Sequence, residues 1–254
     1  MTTIKTPREI ELMRRAGEIV ALAHQLVATM VRPGITTKAI DQAVEKLILD
    51  NGATPSFKGY GGFPAATCCS VNDTLVHGFP SGYVLREGDI ISVDIGACYK
   101  GYHGDSAWTY AVGTISKEAQ HLMDVTRNSL YEGLKFAKAG NHLSDISHAI
   151  GEYVYSFGYS IPYDYSGHGV GSQLHEDPAI PNFGEAGHGI ILKEGMTLAI
   201  EPMVHRGKPH TKVLNDEWTV KTKDGSLAAH YEHSVLITSG ECEILTTLKG
   251  GKNG

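Results

Sequence analysis

The chain has 254 residues and a formal net charge of −6, from 22 lysines and arginines against 28 aspartates and glutamates. This balance, without a run of like charge, argues against a nucleic-acid-binding or anionic-membrane surface. With 41% hydrophobic and 20% charged residues it has the composition of a soluble globular protein, and its longest apolar run, Ile19 to Ala23, is too short to span a membrane or to form a secretory signal.

The length of the chain predicts one domain, and the spacing of its cysteines predicts free thiols. A chain of this size buries roughly 70 to 75% of its unfolded surface, so we expect a single domain over 1–254, or two tightly fused halves. The four cysteines form neither a CxxC pair nor the spacing of a disulfide framework. Free thiols are usual in the cytosol, and we therefore expect a cytoplasmic protein.

Four helices are predicted in the two halves of the chain. Thr6-Pro7-Arg8-Glu9 combines a capping box with proline at the first helical position, and Pro33-Gly34 ends this first helix. The remaining predicted helices run over about 37–51, 116–140 and 144–158.

The helix and turn signals repeat at a nearly constant distance. Gly34 and Gly140 are 106 residues apart, and the segment 84–88 matches 191–195 at an offset of 107 that also carries Asp94 onto Glu201. We interpret this as a duplicated helix-and-sheet unit, approximately 6–112 and 116–245, whose pseudo-two-fold axis brings the two acids face to face. Chance similarity among generic helix and turn signals is the alternative.

Asp94 lies in a predicted strand along which apolar and polar residues alternate. Its side chain is therefore on the face opposite its isoleucine and valine neighbours. The next strand, about 102–112, predicts an antiparallel hairpin. A two-residue loop at Tyr99-Lys100 places Asp94 directly opposite Asp105, with Cβ atoms about 4.5 to 5.5 Å apart, whereas a loop at Lys100-Gly101 leaves the acids diagonal on one face.

Two ionised acids about 5 Å apart repel by about 3 kcal/mol at an effective dielectric near 20. A raised pKa, solvation or a bound divalent cation could offset this cost. Glu201 follows an apolar strand, and Glu232 lies inside the strand-like run 231–236. Four carboxylates would neutralise two divalent ions, and one added histidine suits Mn, Fe, Co or Zn.

Three histidines stand in loops that glycine or proline borders. His168 lies in Gly167-His168-Gly169, where small neighbours allow close backbone approach, and His77 and His175 precede Gly78 and Glu176-Asp177-Pro178. Each histidine alone is weak evidence for a site.

Taken together, several segments make the sequence similar to the type I methionine aminopeptidases of the pita-bread metallopeptidase superfamily. The segments are GlyAspIleIleSerValAspIleGly (88–96), HisGlyAspSer (103–106), GlyHisGlyValGly (167–171), HisGluAspPro (175–178), LeuAlaIleGluProMet (198–203) and TyrGluHisSerVal (231–235). The resemblance implies an α+β pita-bread fold, with the site between two halves, and two divalent metal ions (Mn, Fe, Co or Zn). The implied metal ligands are Asp94, Asp105, His168, Glu201 and Glu232.

The resemblance also implies the reaction, which is removal of N-terminal methionine from nascent proteins and peptides by a metal-bridging hydroxide. Glu201 would shuttle the proton, His175 would contact the carbonyl oxygen, and His77 would contact the peptide nitrogen. The implied methionine pocket comprises Tyr60, Phe63, Cys68 and Trp218, and the full implied substrate-binding set adds His77, Leu174 and His175.

Some positions depart from the family pattern. Leu174 stands where many bacterial relatives have phenylalanine, Phe57 where cysteine is common, and Phe63 where tyrosine is common. These departures leave open which residues the enzyme tolerates after the N-terminal methionine of its substrate, a position that is usually small in this family. We expect a monomer without a zinc-finger extension, and any transient contact with the ribosome would use the surface of the domain.

Three alternatives remain at this stage. A proline-directed relative uses the same five ligands, but such enzymes commonly carry a large extra N-terminal domain. A pita-bread protein that had lost its metals and only bound partners would not need all five ligands together with His77 and His175. A cysteine hydrolase built on Cys68 or Cys69 lacks an activating motif.

Overall fold

The computed structural model describes residues 2–248. Its helices are α1 (Pro7–Met30), α2 (Thr37–Asp50), α3 (Lys117–Leu134) and α4 (Leu143–Ser156), with a short 3-10 helix at Tyr60–Gly62. Its strands are β1 (Thr54–Pro55), β2 (Thr67–Val71), β3 (Thr74–Val76), β4 (Ile90–Tyr99), β5 (Tyr102–Ala111), β6 (Ser166–Gly169), β7 (Glu176–Pro181), β8 (Thr197–Ile200), β9 (Met203–His205), β10 (Thr211–Val213), β11 (Val220–Thr222), β12 (Ala228–His230), β13 (His233–Leu236) and β14 (Glu243–Ile244).

The helices begin where the capping signals predict. The Thr6 hydroxyl accepts a hydrogen bond from the Glu9 N–H, and the Glu9 carboxylate accepts the Thr6 N–H at 2.6 Å, which completes the capping box of α1.

The predicted end of α3 at Gly140 is wrong. This helix ends at Leu134, because the chain then turns through a hydrogen bond from the Phe136 N–H to the Gly133 carbonyl.

Among residues 2–248, none of the helices combines the length and apolar character that crossing a bilayer requires.

Two antiparallel sheets form the centre of the fold. In the first, β4 pairs with β5 along one edge and with β2 and β1 along the other. The second has the order β14-β13-β8-β6-β7. Apolar residues of α1 and α2 pack with Ile91, Val93 and Ile95 of β4, and those of α3 and α4 pack with Leu198 and Val235 of the second sheet. Each helix pair thus covers one face of its sheet.

The register of the β4–β5 hairpin determines the relative positions of Asp94 and Asp105. Tyr99 pairs with Tyr102, so Asp94 lies opposite Ala107 rather than opposite Asp105, and direct opposition of the two acids is wrong. The loop is instead Lys100-Gly101, the shifted arrangement, because both loop residues have positive φ values of 49° and 85°. Such angles suit the tight turn that joins two twisted strands. Asp94 and Asp105 are therefore diagonal neighbours on one face.

Backbone hydrogen bonds recur between the halves of the chain. The N–H of Gly34 donates to the Leu85 carbonyl (2.8 Å), and the N–H of Gly140 donates to the Leu192 carbonyl (3.0 Å). The corresponding isolated bridges join Thr36 with Val84 and His142 with Ile191. The two segments therefore have the same local structure at the spacing of the sequence repeat.

Candidate metal centre

The two sheets meet where Asp105 and Glu232 lie. The Ser106 hydroxyl donates to the Glu232 carbonyl (2.7 Å), and the Glu232 N–H donates to the Ala107 carbonyl (2.8 Å). The Asp105 N–H donates to the Ser234 hydroxyl oxygen (3.0 Å). These bonds fix one acid from each sheet side by side.

Glu232 does not lie inside a continuous strand, and the predicted strand 231–236 is wrong in its first two residues. Tyr231 and Glu232 separate β12 from β13. Tyr231 lies beside Pro202, which has no N–H to donate, and the Glu232 N–H donates instead to Ala107 of the first sheet. The interruption brings the backbone of Glu232 into contact with β5.

The predicted ligands converge on one cavity. His168 Nε2 lies 3.4 Å from Glu201 Oε1 and 3.9 Å from Asp105 Oδ2. Donor atoms of Asp105, His168 and Glu232 all lie within 4.8 Å of one another, as groups that share a metal ion do. Asp94 lines the same cavity. The donor set of carboxylates and imidazole suits a divalent transition metal.

Several polar atoms here have no hydrogen-bond partner among the described residues. They are Asp94 Oδ1, Asp105 Oδ1, Glu232 Oε1 and His230 Nε2, each buried. An unsatisfied buried polar atom costs about 1 to 3 kcal/mol. Because three of these atoms are carboxylate oxygens facing one cavity, a cation would satisfy them together. The residues therefore fit a metal site.

Burial and mutual repulsion raise the pKa values of the acids. Burial raises the pKa of Asp94 to about 7, with a further contribution from Glu201. Burial, followed by the charges of Asp94 and Glu201, raises the pKa of Asp105 well above its usual range, and burial does the same to the pKa of Glu201. The pKa of Glu232 rises through burial and the charge of Asp105. In the absence of a cation the raised pKa values favour protonation of these carboxyl groups, and metal binding would compete with that protonation.

His168 presents one ring nitrogen to the acids. Its Nδ1 lies 2.8 Å from the Gly169 carbonyl, to which Nδ1–H donates, and this leaves the Nε2 lone pair directed at the cluster. Burial lowers its pKa to about 4, so the ring is neutral near pH 7. A Cβ atom on Gly167 would lie 2.4 Å from the Ala199 carbonyl oxygen, so only glycine allows this close strand pairing.

The other two predicted histidines border the same cavity. His175 Nδ1 lies 2.8 Å from the Tyr60 hydroxyl, and its ring is 4.3 Å from that of His168, centroid to centroid. His77 has a left-handed φ of 58° directly after β3, and its ring lies 6.0 Å from Trp218. Burial lowers the pKa of His77 to about 4, so this ring is also neutral near pH 7.

An apolar pocket adjoins the acids within a cavity of about 530 Å³. Phe63 lies at the centre of its aromatic wall, 5.2 Å from the rings of both Phe79 and Trp218. Cys68 pairs with Asp94 in the β2–β4 ladder, and burial raises the pKa of its thiol. A protonated thiol is a poor nucleophile, which argues against the cysteine-hydrolase alternative. The predicted pocket residues that line this cavity are Tyr60, Phe63, Cys68, His77, Leu174, His175 and Trp218.

Sequence reasoning missed His230. This histidine, 2% exposed, lies at the end of β12, and its Nε2 is 3.3 Å from Glu201 Oε2. Glu201, His230 and Glu232 form a second group of convergent donor atoms. The signal available in the sequence was the spacing of two between His230 and Glu232 in a strand-like run.

Comparisons with known proteins identify a metallopeptidase family and its members as similar to this chain. The model of Metallopeptidase family M24 matches residues 11–239. Methionine aminopeptidase 1 of Bacillus subtilis is 54% identical over 246 residues, which cover 97% of this chain and 99% of that protein. The crystal structure of methionine aminopeptidase from Thermotoga maritima has a TM-score of 0.96 and 49% identity, and the match covers 97% of this chain and all of that one.

A prolidase from Pyrococcus furiosus shares the fold at lower similarity. Its TM-score is 0.79 with 27% identity, and the match covers 96% of this chain but 65% of the prolidase. The chain therefore belongs to metallopeptidase family M24 and, within it, to the methionine aminopeptidases. The α+β pita-bread fold and the metal-dependent aminopeptidase class that the sequence predicts are confirmed.

Proposed function

We propose that this protein removes the N-terminal methionine from nascent proteins and peptides, with a preference for a small second residue. The observation that carries the proposal is the convergence of four carboxylates and His168 beside an apolar pocket. The names of its relatives from Bacillus subtilis and Thermotoga maritima support the same substrate.

The metal centre is proposed to hold two divalent ions drawn from Mn, Fe, Co and Zn. Its ligands would be Asp94, Asp105, His168, Glu201 and Glu232. When bound, such ions lower the pKa of a coordinated water towards neutrality and polarise the scissile carbonyl. Four ionised carboxylates balance two divalent charges, which is consistent with the raised pKa values of these acids when no cation is present.

Three side chains would move protons or orient the substrate. Glu201 would accept a proton from the attacking water and pass it to the leaving amine. His175 would donate a hydrogen bond from Nε2 to the carbonyl oxygen, since Tyr60 engages its Nδ1. His77, which lines the same cavity, would contact the peptide nitrogen after the first residue.

Methionine would occupy the pocket formed by Phe63, Cys68, Leu174 and Trp218. A thioether is polarisable and makes favourable contacts with aromatic edges, which Phe63 and Trp218 supply at right angles to each other. Tyr60 would close the outer side of this pocket, where its ring packs on His175.

The organisation of the chain is proposed to be a single catalytic domain over 1–254, built from a repeat of approximately 6–112 and 116–245. The recurring hydrogen bonds of Gly34 and Gly140 support this duplication. We further propose a cytoplasmic location, because its four cysteines are free. The protein is also proposed to be a monomer that contacts the ribosome transiently through the surface of the domain.

Metal removal and restoration would test this function. The protein is stripped with a chelator and restored with Mn, Co or Fe, and product release is measured from Met-Ala-X, Leu-Ala-X and X-Pro peptides. Metal-dependent release of methionine from Met-Ala-X is the expected result. Cleavage of X-Pro peptides alone would favour a proline-directed enzyme, metal-independent cleavage a thiol enzyme, and no cleavage a binding protein.

A further inference from the structure

Hydrogen bonds fix the backbone of His230, the last residue of β12. Its backbone N–H lies 3.0 Å from Thr109 Oγ1, and the Thr109 hydroxyl lies 2.9 Å from the His230 carbonyl oxygen. The Ser92 hydroxyl, 2.8 Å from the same Thr109 oxygen, continues this contact into β4. The backbone of His230 is thus fixed to the first sheet, although the residue belongs to the second half of the chain.

The imidazole of His230 faces two carboxylates. Its Nε2 lies 3.3 Å from Glu201 Oε2 and 3.9 Å from Glu232 Oε2. The Glu201 carboxylate therefore lies between two imidazoles, since His168 Nε2 is 3.4 Å from Oε1. Buried His230 Nε2 has no hydrogen-bond partner among residues 2–248, so its short distance to Glu201 is not accompanied by an aligned hydrogen bond.

We propose that His230 Nε2 is an additional metal ligand, which together with Glu201 and Glu232 gives the centre a second nitrogen donor. This inference rests on the metal centre of the proposed function. Imidazole nitrogen favours Co, Zn and Fe over the oxygen-preferring Mn and Mg. A centre with two imidazoles therefore discriminates more strongly against Mn than a centre with His168 alone.

Replacement by glutamine separates a ligand from a hydrogen-bonding neighbour. The amide of a His230→Gln variant can donate a hydrogen bond to Glu201, but it offers an oxygen in place of the imidazole nitrogen. His205→Gln is a matched control. His205 is also fully buried with an unpartnered Nε2, and it pairs with Ala228 of β12, yet it lies outside both groups of convergent donors.

Metal affinity is the primary measurement. Dissociation constants for Co(II) and Mn(II) are determined by chelator competition, and the visible absorption of the Co(II) protein is recorded. His230→Gln is expected to weaken Co(II) binding by more than the roughly 10- to 100-fold that loss of an outer-shell partner costs, and to weaken Mn(II) binding less. Its Co(II) spectrum should change, whereas His205→Gln should match the unaltered protein.

X-ray absorption of the unaltered Co(II) protein tests the same inference without a substitution. Two imidazole ligands per fully loaded centre are expected, and one would overturn the proposal. Unchanged Co(II) affinity and spectrum in folded His230→Gln would also overturn it and leave His230 as a neighbour of Glu201. Failure of the unaltered protein to bind either ion would instead contradict the metal centre and the proposed function.

Discussion

Asp105 lies diagonally across the β4–β5 hairpin from Asp94, and each acid has a buried carboxylate oxygen without a hydrogen-bond partner among the described residues. Burial and the charge of its neighbour raise the pKa of Asp105 well above its usual range. A group with a raised folded-state pKa stabilises the protein less as pH increases, because unfolding then releases its proton. The metal-free protein therefore carries a cost at this pair that increases with pH.

Asp105→Asn should stabilise the metal-free protein at pH 8 while it destroys the metal site. The neutral amide cannot ionise on unfolding, so we expect the free energy of unfolding to increase by about 1 to 3 kcal/mol. Chemical denaturation with and without Co(II) measures both effects, and the stabilisation by Co(II) should disappear. A variant less stable than the metal-free parent would contradict this account of the pair.

Asp41 supplies the control for that substitution. Its buried carboxylate accepts hydrogen bonds from the Ala66 N–H (3.0 Å) and from the N–H (2.9 Å) and hydroxyl (3.0 Å) of Thr67. Asp41→Ala removes the oxygen Oδ1 that accepts all three hydrogen bonds, and should destabilise the protein by about 1 to 3 kcal/mol. The two substitutions are therefore expected to change the free energy of unfolding of the metal-free protein in opposite directions.

Glu201→Gln should leave a folded protein with almost no activity. The amide keeps the size of the side chain but can neither carry the proton nor supply an anionic ligand, and loss of a general base costs roughly 10²- to 10⁴-fold. The measurement is kcat on Met-Ala-X with saturating Co(II), alongside circular dichroism. Retention of ordinary activity would refute both roles of Glu201.

His175→Ala should lower kcat more than tenfold because the carbonyl oxygen loses a hydrogen-bond donor. His121 offers a matched control, since its Nδ1 lies 2.6 Å from the Tyr159 hydroxyl much as His175 lies beside Tyr60, but it does not line the cavity. His121→Ala should leave kcat unchanged. Equal kcat values in the two variants would show that His175 has been misassigned.

Much of this arrangement follows from local sequence signals, and the failures have specific causes. The capping box of Thr6 and Glu9 fixed the start of α1 because its hydrogen bonds are local. The hairpin register depended on whether Lys100 would adopt a positive φ, for which a non-glycine residue gives only a weak signal. His230 was missed because its approach to Glu201 depends on β12 pairing with β9, a contact distant in sequence.

The pocket is expected to recognise methionine through its aromatic wall. Trp218→Ala removes a ring that lies 5.2 Å from Phe63 and 6.0 Å from His77. We expect kcat/KM for Met-Ala-X to fall at least about tenfold, since loss of a large aromatic contact surface costs more than 1.4 kcal/mol. Steady-state kinetics on Met-Ala-X and Leu-Ala-X measure it. Phe136→Ala, at an exposed aromatic that does not line the cavity, should leave kcat/KM for both peptides unchanged.

Buried His24 should make the protein sensitive to acid independently of metal. Its Nε2 lies 2.9 Å from the Ser106 carbonyl and its Nδ1 lies 2.8 Å from the Tyr110 hydroxyl, and burial lowers its pKa to about 4. The unfolded chain binds the proton more readily, so stability is complete above about pH 6.5 and decreases as pH falls towards 4, by at most about 3 kcal/mol from this group. Unfolding free energies of metal-free protein between pH 7 and 4.5 should therefore decrease less steeply in His24→Gln than in the parent. Parallel pH profiles would show that His24 does not contribute, because the other buried histidines are common to both proteins.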